Sequence, residues 1–290
     1  MSKSSDELLA RCTFPPPGTT LPCAFSGGPD STALIWLARA AGCIPIAHHV
    51  DHGLREGSAR DAERALEIAV ELGIAFVEHT VDIGPGPNLE ARARDARFAV
   101  LPDGVATGHT ADDQAETLLL RLLRGAGTTG LAAMSPGTTH PILALRRHET
   151  VALCGDLGVE PVIDPTNRSP DPWRNRVRHE LLPLAADIAH RDVVPILART
   201  AELLRGDDAL LDELAAGIDP IDAKAIAAAP PVLARRALRR WLTEAGYPPD
   251  RASIERVLAV ARGEAVACEI TGGRRVERSN QHFRIVDSDG

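Results

Sequence analysis

Lysine is almost missing from this chain. Of 32 basic residues only Lys3 and Lys224 are lysines, and the rest are arginine. A Walker A loop needs Gly-Lys-Ser/Thr, and neither lysine follows a glycine. A protein kinase needs its strand lysine, and a pyridoxal enzyme needs a lysine for the Schiff base. Neither Lys3 nor Lys224 has such a context. Cysteine is also sparse. Cys12, Cys23, Cys43, Cys154 and Cys268 are odd in number and form no Cys-x-x-Cys. That argues against a disulfide framework and against a structural zinc site, and it reads as free core thiols. No apolar run reaches about 18 residues, so no membrane helix is expected. Met1–Arg11 is polar and acidic and does not read as a secretory signal, so a cytoplasmic protein is expected. A net charge of -8 argues against indiscriminate nucleic-acid binding over the whole surface.

What is present is an ordinary globular composition. The 290 residues are 44% hydrophobic and 25% charged, which suits one large domain and a smaller one. Leu21–Phe25, Ile44–Val50, Ile74–Val81 and the very short Val105–Thr107 read as strands. Between and after them, Ser31–Ala41, Ser58–Leu72, Asn88–Leu101 and Ala111–Arg124 read as helices, each stopped by glycine or proline. Strict alternation of this kind predicts an α/β fold with a doubly wound parallel sheet. Beyond it, Ala185–Leu204, Asp208–Ala216 and Val232–Ala245 read as helices. Ala265–Ile270 and Val276–Val286 read as β-segments joined at Gly272-Gly273. The expected domains are 1–190 and 191–290, the second mainly helical with a terminal hairpin. The boundary is drawn near 185–205.

Ligands of such sheets bind beyond the carboxyl ends of the strands, and three of those ends carry unusual residues. The first is Ser26-Gly27-Gly28-Pro29-Asp30-Ser31-Thr32. Its glycines allow a sharp turn, Pro29 and Asp30 suit a first helical turn, and the hydroxyls add donors. Free amides at the positive end of a helix bind pyrophosphate without lysine. The second is His49-Val50-Asp51-His52-Gly53-Leu54-Arg55. It offers an acceptor, an imidazole and a guanidinium fork. His48 points to the other side of that strand and reads as structural. The third is Gly108-His109-Thr110-Ala111-Asp112-Asp113-Gln114-Ala115-Glu116-Thr117. Asp112, Asp113 and Glu116 share a helix face. They suit either Mg²⁺ between ATP phosphates, with Asp30 and Asp113 as its ligands, or an ammonium group.

The Ser26–Ser31 string resembles the loop of the PP-loop (N-type) ATP pyrophosphatases. The other two motifs, with Asp164-Pro165-Thr166-Asn167 and Arg174-Asn175-Arg176-Val177-Arg178-His179, closely resemble the signatures of the tRNA(Ile)-lysidine synthetase family. The resemblance covers residue 21 to about 184. It implies ATP and Mg²⁺ as cofactors, L-lysine and an isoleucine tRNA with a CAU anticodon as substrates, and a homodimer. It implies adenylylation of the wobble cytidine at O2, with release of pyrophosphate, then attack of the lysine amine at C2, with release of AMP. In that reading Ser26–Thr32, His49, Arg55, Gly108 and His109 hold the nucleotide. Asp51, His52, Asp112, Asp113 and Glu116 carry the chemistry. The base that deprotonates the amine stays open among Asp51, His52, Asp112 and Asp113.

Arg121, Arg124, Arg174, Asn175 and Arg178 are expected to contact phosphates of ATP or tRNA. Arg235, Arg236, Arg239 and Arg240 form two i, i+4 pairs on a predicted helix, a stripe suited to a phosphate backbone. Residues 238–242 resemble the start of the family's first C-terminal domain, and the chain is too short for the second one of longer members. Gly125–Gly130 resembles the family's glycine-rich loop. Two other readings compete. A tRNA 2-thiolation enzyme needs reactive cysteines, and a non-catalytic nucleotide-binding module does not need Asp112, Asp113 and Glu116.

Overall fold

The computed structural model describes residues 3–51, 58–81, 89–162, 173–244, 249–270 and 272–287. It divides into two compact units, Met1–Leu203 and Leu204–Gly290. The division falls within one continuous helix rather than in a linker.

In the first unit, α1 (Lys3–Leu9) precedes β1 (Thr20–Ala24), α2 (Pro29–Ala40), β2 (Ile44–Asp51), α3 (Ser58–Glu71), β3 (Ala75–Thr80) and α4 (Leu89–Val100). The strands pair in parallel in the order β1-β2-β3, with Ala24 beside His48 and Asp51 beside Thr80. The expected fourth strand is a single parallel bridge, Ala106 against Cys23. It is closed by Ala24 N–H to Ala106 O and Ala106 N–H to Pro22 O, both 2.8 Å. Pro102 and Gly104 leave room for no more. The bridge still sets the topology. β1 has β2 on one side and Ala106 on the other, so the strand order reverses at β1, where such sheets bind ligands.

Of the predicted apolar face of α2, Leu34, Leu37 and Ala38 are fully buried and Ala41 is the half-buried C-cap; Ile35 and Ala33 are fully buried as well. The reason is α7 (Arg147–Asp156), a helix the sequence reading did not identify, which packs on α2 from the far side. Before it come α5 (Ala111–Leu123) and the short α6 (Thr128–Leu131).

The segment after residue 173 corrects the sequence reading. α8 (Arg174–Arg176) runs through a π-helical turn (Val177–Leu181) into α9 (Leu182–Ala189). Pro183 sits in the first turn of α9, where its missing N–H costs little. The break comes at His190, a left-handed residue with φ 52°. α10 (Val194–Ala216) then continues straight through Gly206, where a break was expected.

The second unit adds α11 (Ala223–Ala228), α12 (Pro231–Glu244) and α13 (Arg251–Arg262). They pack on an antiparallel sheet of β4 (Ala267–Ile270), β5 (Arg274–Ser279) and β6 (His282–Asp287). Leu238, Leu242, Ile254, Leu258 and Val276 fill its core. The single segment expected over Val276–Val286 is two strands. Asn280 and Gln281 turn the chain with φ of 50° and 65°. Asn suits that region, whereas Gln enters it at a cost of about 1–2 kcal/mol. Gln281→Val is expected to destabilise the second unit by about 1 kcal/mol or more, and Gln281→Gly to be neutral or stabilising. Urea unfolding of the two variants checks this, and equal midpoints would remove the strain assigned to Gln281.

Candidate active site

At the end of β1 the chain turns into α2 through Ser26–Asp30. Gly27 takes φ +77°, and a Cβ there would lie 2.6 Å from the Val162 side chain. Gly28 is the N-cap, and no side chain caps α2. The amides after Pro29 therefore meet whatever occupies the loop at the positive end of the helix. Ser31 shapes the turn from inside. Its Oγ accepts from the Ser26 amide (3.3 Å) and donates to the Gly28 carbonyl (3.0 Å). Ser26 Oγ lies 3.2 Å from it, and Thr32 Oγ1 donates to the Gly27 carbonyl at 3.3 Å. The hydroxyls thus build the loop, and the backbone amides present the anion site.

Across the reversal point lies Gly108. A Cβ on it would sit 2.8 Å from the Asp30 carbonyl oxygen and 3.0 Å from the Ser31 nitrogen. Only glycine lets the two motif backbones approach this closely. His109 Nδ1 lies 2.7 Å from Thr107 Oγ1, and its ring centroid is 5.3 Å from that of His140.

α5 begins at the same place. Asp113 Oδ2 accepts from the amide (2.9 Å) and hydroxyl (2.8 Å) of Thr110, closing the first turn. Asp113 Oδ1 faces Arg147 Nη2 at 2.9 Å and Arg174 Nη2 at 3.3 Å. Glu116, three residues on, is completely buried. Three guanidiniums hold it: Arg147 Nη1 at 3.2 Å, Arg174 Nε at 2.8 Å and Arg178 Nε at 2.7 Å. Arg147 Nε also reaches Asp30 Oδ2 at 3.6 Å, and Thr150 Oγ1 donates to Asp30 Oδ1. Asp112 points elsewhere. It takes Arg146 Nε (3.0 Å) and the Arg147 amide (2.9 Å), while Arg146 also pairs with Asp192.

The electrostatics follow from burial and partners. Burial would lift the Asp112 and Asp113 carboxyls, but it is outweighed. The Arg146 hydrogen bond and the Arg147 amide lower Asp112; the Arg147 charge, the Thr110 amide and Arg174 lower Asp113. Asp30 is the opposite case. Burial dominates there and holds its carboxyl above the usual range despite Thr150 and Arg147.

Both Asp113 oxygens are engaged, one by Thr110 and the other by Arg147 and Arg174. One Asp30 oxygen accepts from Thr150 and the other faces Arg147 at 3.6 Å. Mg²⁺ is usually held by one or two carboxylates and substrate phosphates, and the carboxylates of Asp30 and Asp113, both facing Arg147, have the chemistry for it. Among the described residues no group of three or more His, Cys, Asp or Glu is arranged to hold a metal ion. Arg174 and Arg178, expected on phosphates, are instead the partners of Glu116. Asn175 is half-buried between them.

The remaining sequence-predicted residues make contacts of their own. Asp51 closes β2, and His49 Nδ1 meets the Phe25 carbonyl at 2.9 Å while its ring stacks on Phe76. His48 Nδ1 lies 2.9 Å from His79 Nε2 on the opposite face. Arg121 donates to the Gly130 carbonyl at 2.8 Å, and Gln114 bonds both polar backbone groups of Met134, so the glycine-rich segment is anchored on α5. Arg124 is exposed. His52, Arg55 and Asp164–Asn167 lie outside the described residues. Arg146 and Arg147 were missed in sequence. The signal was present: two cations at a helix start oppose its dipole and call for an acidic partner.

Known proteins resolve what this arrangement belongs to. The family described as PP-loop domain matches residues 2–185, and the one described as TilS substrate binding domain matches 222–282. A tRNA(Ile)-lysidine synthase from Nocardia farcinica is 41% identical over 283 residues, 91% of this chain and 87% of its own. The chain belongs to the tRNA(Ile)-lysidine synthase family. A second member, from Thermobifida fusca, is 39% identical over 307 residues and covers 94% of this chain and 93% of its own. Among solved structures, the U34-tRNA thiolase NcsA from Methanococcus maripaludis with its [4Fe-4S] cluster aligns at TM-score 0.54 and 17% identity, over 70% of this chain and 78% of that one. That likeness shows the fold. The thiols here differ in character from reactive ones: burial pushes Cys23 up to about 12 and Cys154, which donates to the Pro29 carbonyl, up to about 11.

In this lysidine synthase family member the two carboxyl shifts have opposite signs for stability. The lowered Asp112 stabilises the fold fully above its unfolded pKa of about 3.9, and that contribution is lost as pH falls through the lowered value. The raised Asp30 opposes folding at neutral pH and is relieved on protonation. Asp112→Asn is expected to cost about 2–3 kcal/mol at pH 7, and Asp30→Asn to raise the melting temperature there. Thermal melts at pH 7 check both; a destabilised Asp30→Asn protein would overturn the sign assigned to that carboxyl.

Proposed function

We propose that this enzyme joins lysine to C2 of the wobble cytidine, position 34, in the CAU anticodon of an isoleucine tRNA. ATP is converted to AMP and diphosphate. The modified base then reads AUA instead of AUG, and the tRNA changes from methionine to isoleucine identity. The observation that carries the reading is the uncapped start of α2, built by Gly27, Gly28 and Ser31 and braced by Gly108. It lies in a chain that matches lysidine synthases along most of its length.

The chemistry divides into two transfers. First, cytosine O2 attacks the α-phosphorus of ATP, an O2–P bond forms, and the bond to diphosphate breaks. Oriented amides of the loop stabilise the developing charge on the leaving group. Mg²⁺ arriving with the nucleotide would be held by Asp30 and Asp113 and would neutralise phosphate charge. Second, the neutral ε-amine of lysine attacks C2, AMP leaves, and the amine proton passes to a base. The guanidinium partners of Asp112 and Asp113 stabilise their ionised forms. The base is one of Asp51, His52, Asp112 and Asp113. Glu116, enclosed by three guanidiniums, orders the site.

For the tRNA, the arginines of α12 divide by role. Arg236 is only 14% exposed and pairs with Asp208 and Asp212. Arg235 pairs with Glu255 at 2.7 Å, and Arg239 donates to the Pro249 carbonyl at 3.2 Å. Arg239 and Arg240 are both exposed, and Arg240 has Glu244 at 3.9 Å. These two are the members of the stripe that best suit a phosphate. Among the described residues no helix is long and apolar enough to cross a membrane.

The decisive assay supplies ATP and the CAU-anticodon tRNA with lysine, ammonia or a sulfur donor in turn. AMP release is expected with lysine, and AMP formed only with another donor would overturn the reading. Ser31→Ala is expected to reduce tRNA-dependent diphosphate release by about 10²-fold or more; unchanged release would contradict the loop assignment. Arg240→Gln is expected to weaken tRNA binding and reduce the salt slope by about 1. Arg236→Gln is expected to leave that slope alone and to cost about 1–3 kcal/mol of stability.

A further inference from the structure

The residue with the widest reach in the site belongs to none of the motifs. Arg147 is the first residue of α7, outside the phosphate loop, the α5 motif and the Arg174–His179 segment. Its guanidinium contacts three carboxylates from two elements. Nε faces Asp30 of the loop (3.6 Å), Nη2 faces Asp113 (2.9 Å) and Nη1 faces Glu116 (3.2 Å). Its amide donates to Asp112 at 2.9 Å. One turn later the Thr150 hydroxyl lies within hydrogen-bond distance of both Asp30 Oδ1 and, at 2.8 Å, the Arg147 carbonyl, and its one proton serves either acceptor. The start of α7 thus spans the gap between the loop that would hold the triphosphate and the helix that carries the acidic residues.

A single ammonium cannot make this set of contacts. The three nitrogens of one planar fork point in fixed, different directions, which is what separates arginine from lysine. Thr150 fixes one Asp30 oxygen, and Arg147 restrains the other. Without the fork, Asp30 would keep Thr150, and Asp113 would keep Thr110, Arg174 and, at 3.8 Å, Arg178. Loop and helix would then lose their shared cation, and their relative placement would loosen. Displacement of a reacting group by about 1 Å can cost about 10²-fold in rate.

We propose that Arg147 is a positioning residue for the nucleotide half-reaction, holding Asp30 of the phosphate loop and Asp113 of α5 at their working separation through the shape of its fork rather than through its charge alone. The proposal rests on the lysidine synthase reading above. Its test uses the full chain with Arg147→Lys and Arg147→Met. The measurements are ATP affinity by calorimetry without tRNA, steady-state kcat and KM for diphosphate release with tRNA and lysine, and thermal melting.

Arg147→Lys is expected to melt within a few degrees of the unaltered protein. It is expected to lower kcat about 10–10²-fold, with the KM for tRNA unchanged and ATP affinity reduced about tenfold. Arg147→Met is expected to do at least as much. If Arg147→Met does not fold, Arg147→Lys alone decides. Full activity in Arg147→Lys would show that charge without the fork suffices and would overturn the proposal. So would an effect confined to the KM for tRNA, or a kcat loss that follows the fall in melting temperature. If the unaltered protein released no AMP with lysine, the function reading would fail. The ATP affinities of the same variants would still support or reject Arg147 as the brace of the loop.

Discussion

A carboxylate with no access to water holds the site together. Glu116 is buried in the first two turns of α5, and an isolated charge at such a depth is not tolerated. It survives because Arg147, Arg174 and Arg178 reach it from α7 and from the helical segment that opens at Arg174. Loss of one partner from such a pair typically costs about 3–5 kcal/mol, so the three elements are bound to one another through this single residue. The same guanidiniums extend to Asp113, and one of them to Asp30. With three carboxylates and three arginines the inner network is charge-balanced.

The backbone explains why these side chains can meet. The strand order reverses at β1, with β2 on one side and the parallel Ala106 bridge on the other. The chain segments leaving β1 and Ala106 therefore emerge side by side, and Gly108 removes the Cβ that would hold them apart. One segment supplies the uncapped helix, the other the acidic one. The π-helical turn after Arg176 is a recurrent feature of functional sites. Here it lies in the stretch that brings both Arg174 and Arg178 onto Glu116, with Pro183 accommodated just beyond it.

The second unit makes a different use of arginine. Arg235, Arg236 and Arg239 of α12 look on paper like a stripe for polyanions. In the fold they join α12 to Glu255, to Asp208 and Asp212, and to the Pro249 carbonyl. Guanidinium groups with several donors can fasten helices and strands where a small, aromatic-poor core fills only part of the space. A run of like charges in sequence is thus a poor guide to its potential at the surface.

Local rules determined a great deal. Alternating strands and helices, glycine stops and the Ser26–Ser31 string were sufficient to place the parallel sheet and the loop, because turn and cap chemistry act over a few residues. Asp113 beside Glu116 was legible for the same reason. Tertiary structure alone decided that Arg146 and Arg147 belong to the site, that Arg174 and Arg178 face carboxylates, that α10 runs through Gly206, and that the last β-segment folds back at Asn280-Gln281. The first three outcomes depend on charge balance or packing between residues distant in the chain, and no short window of sequence contains both partners; the last is a local turn whose Asn-Gln pair lacks the glycine that marks such turns in sequence.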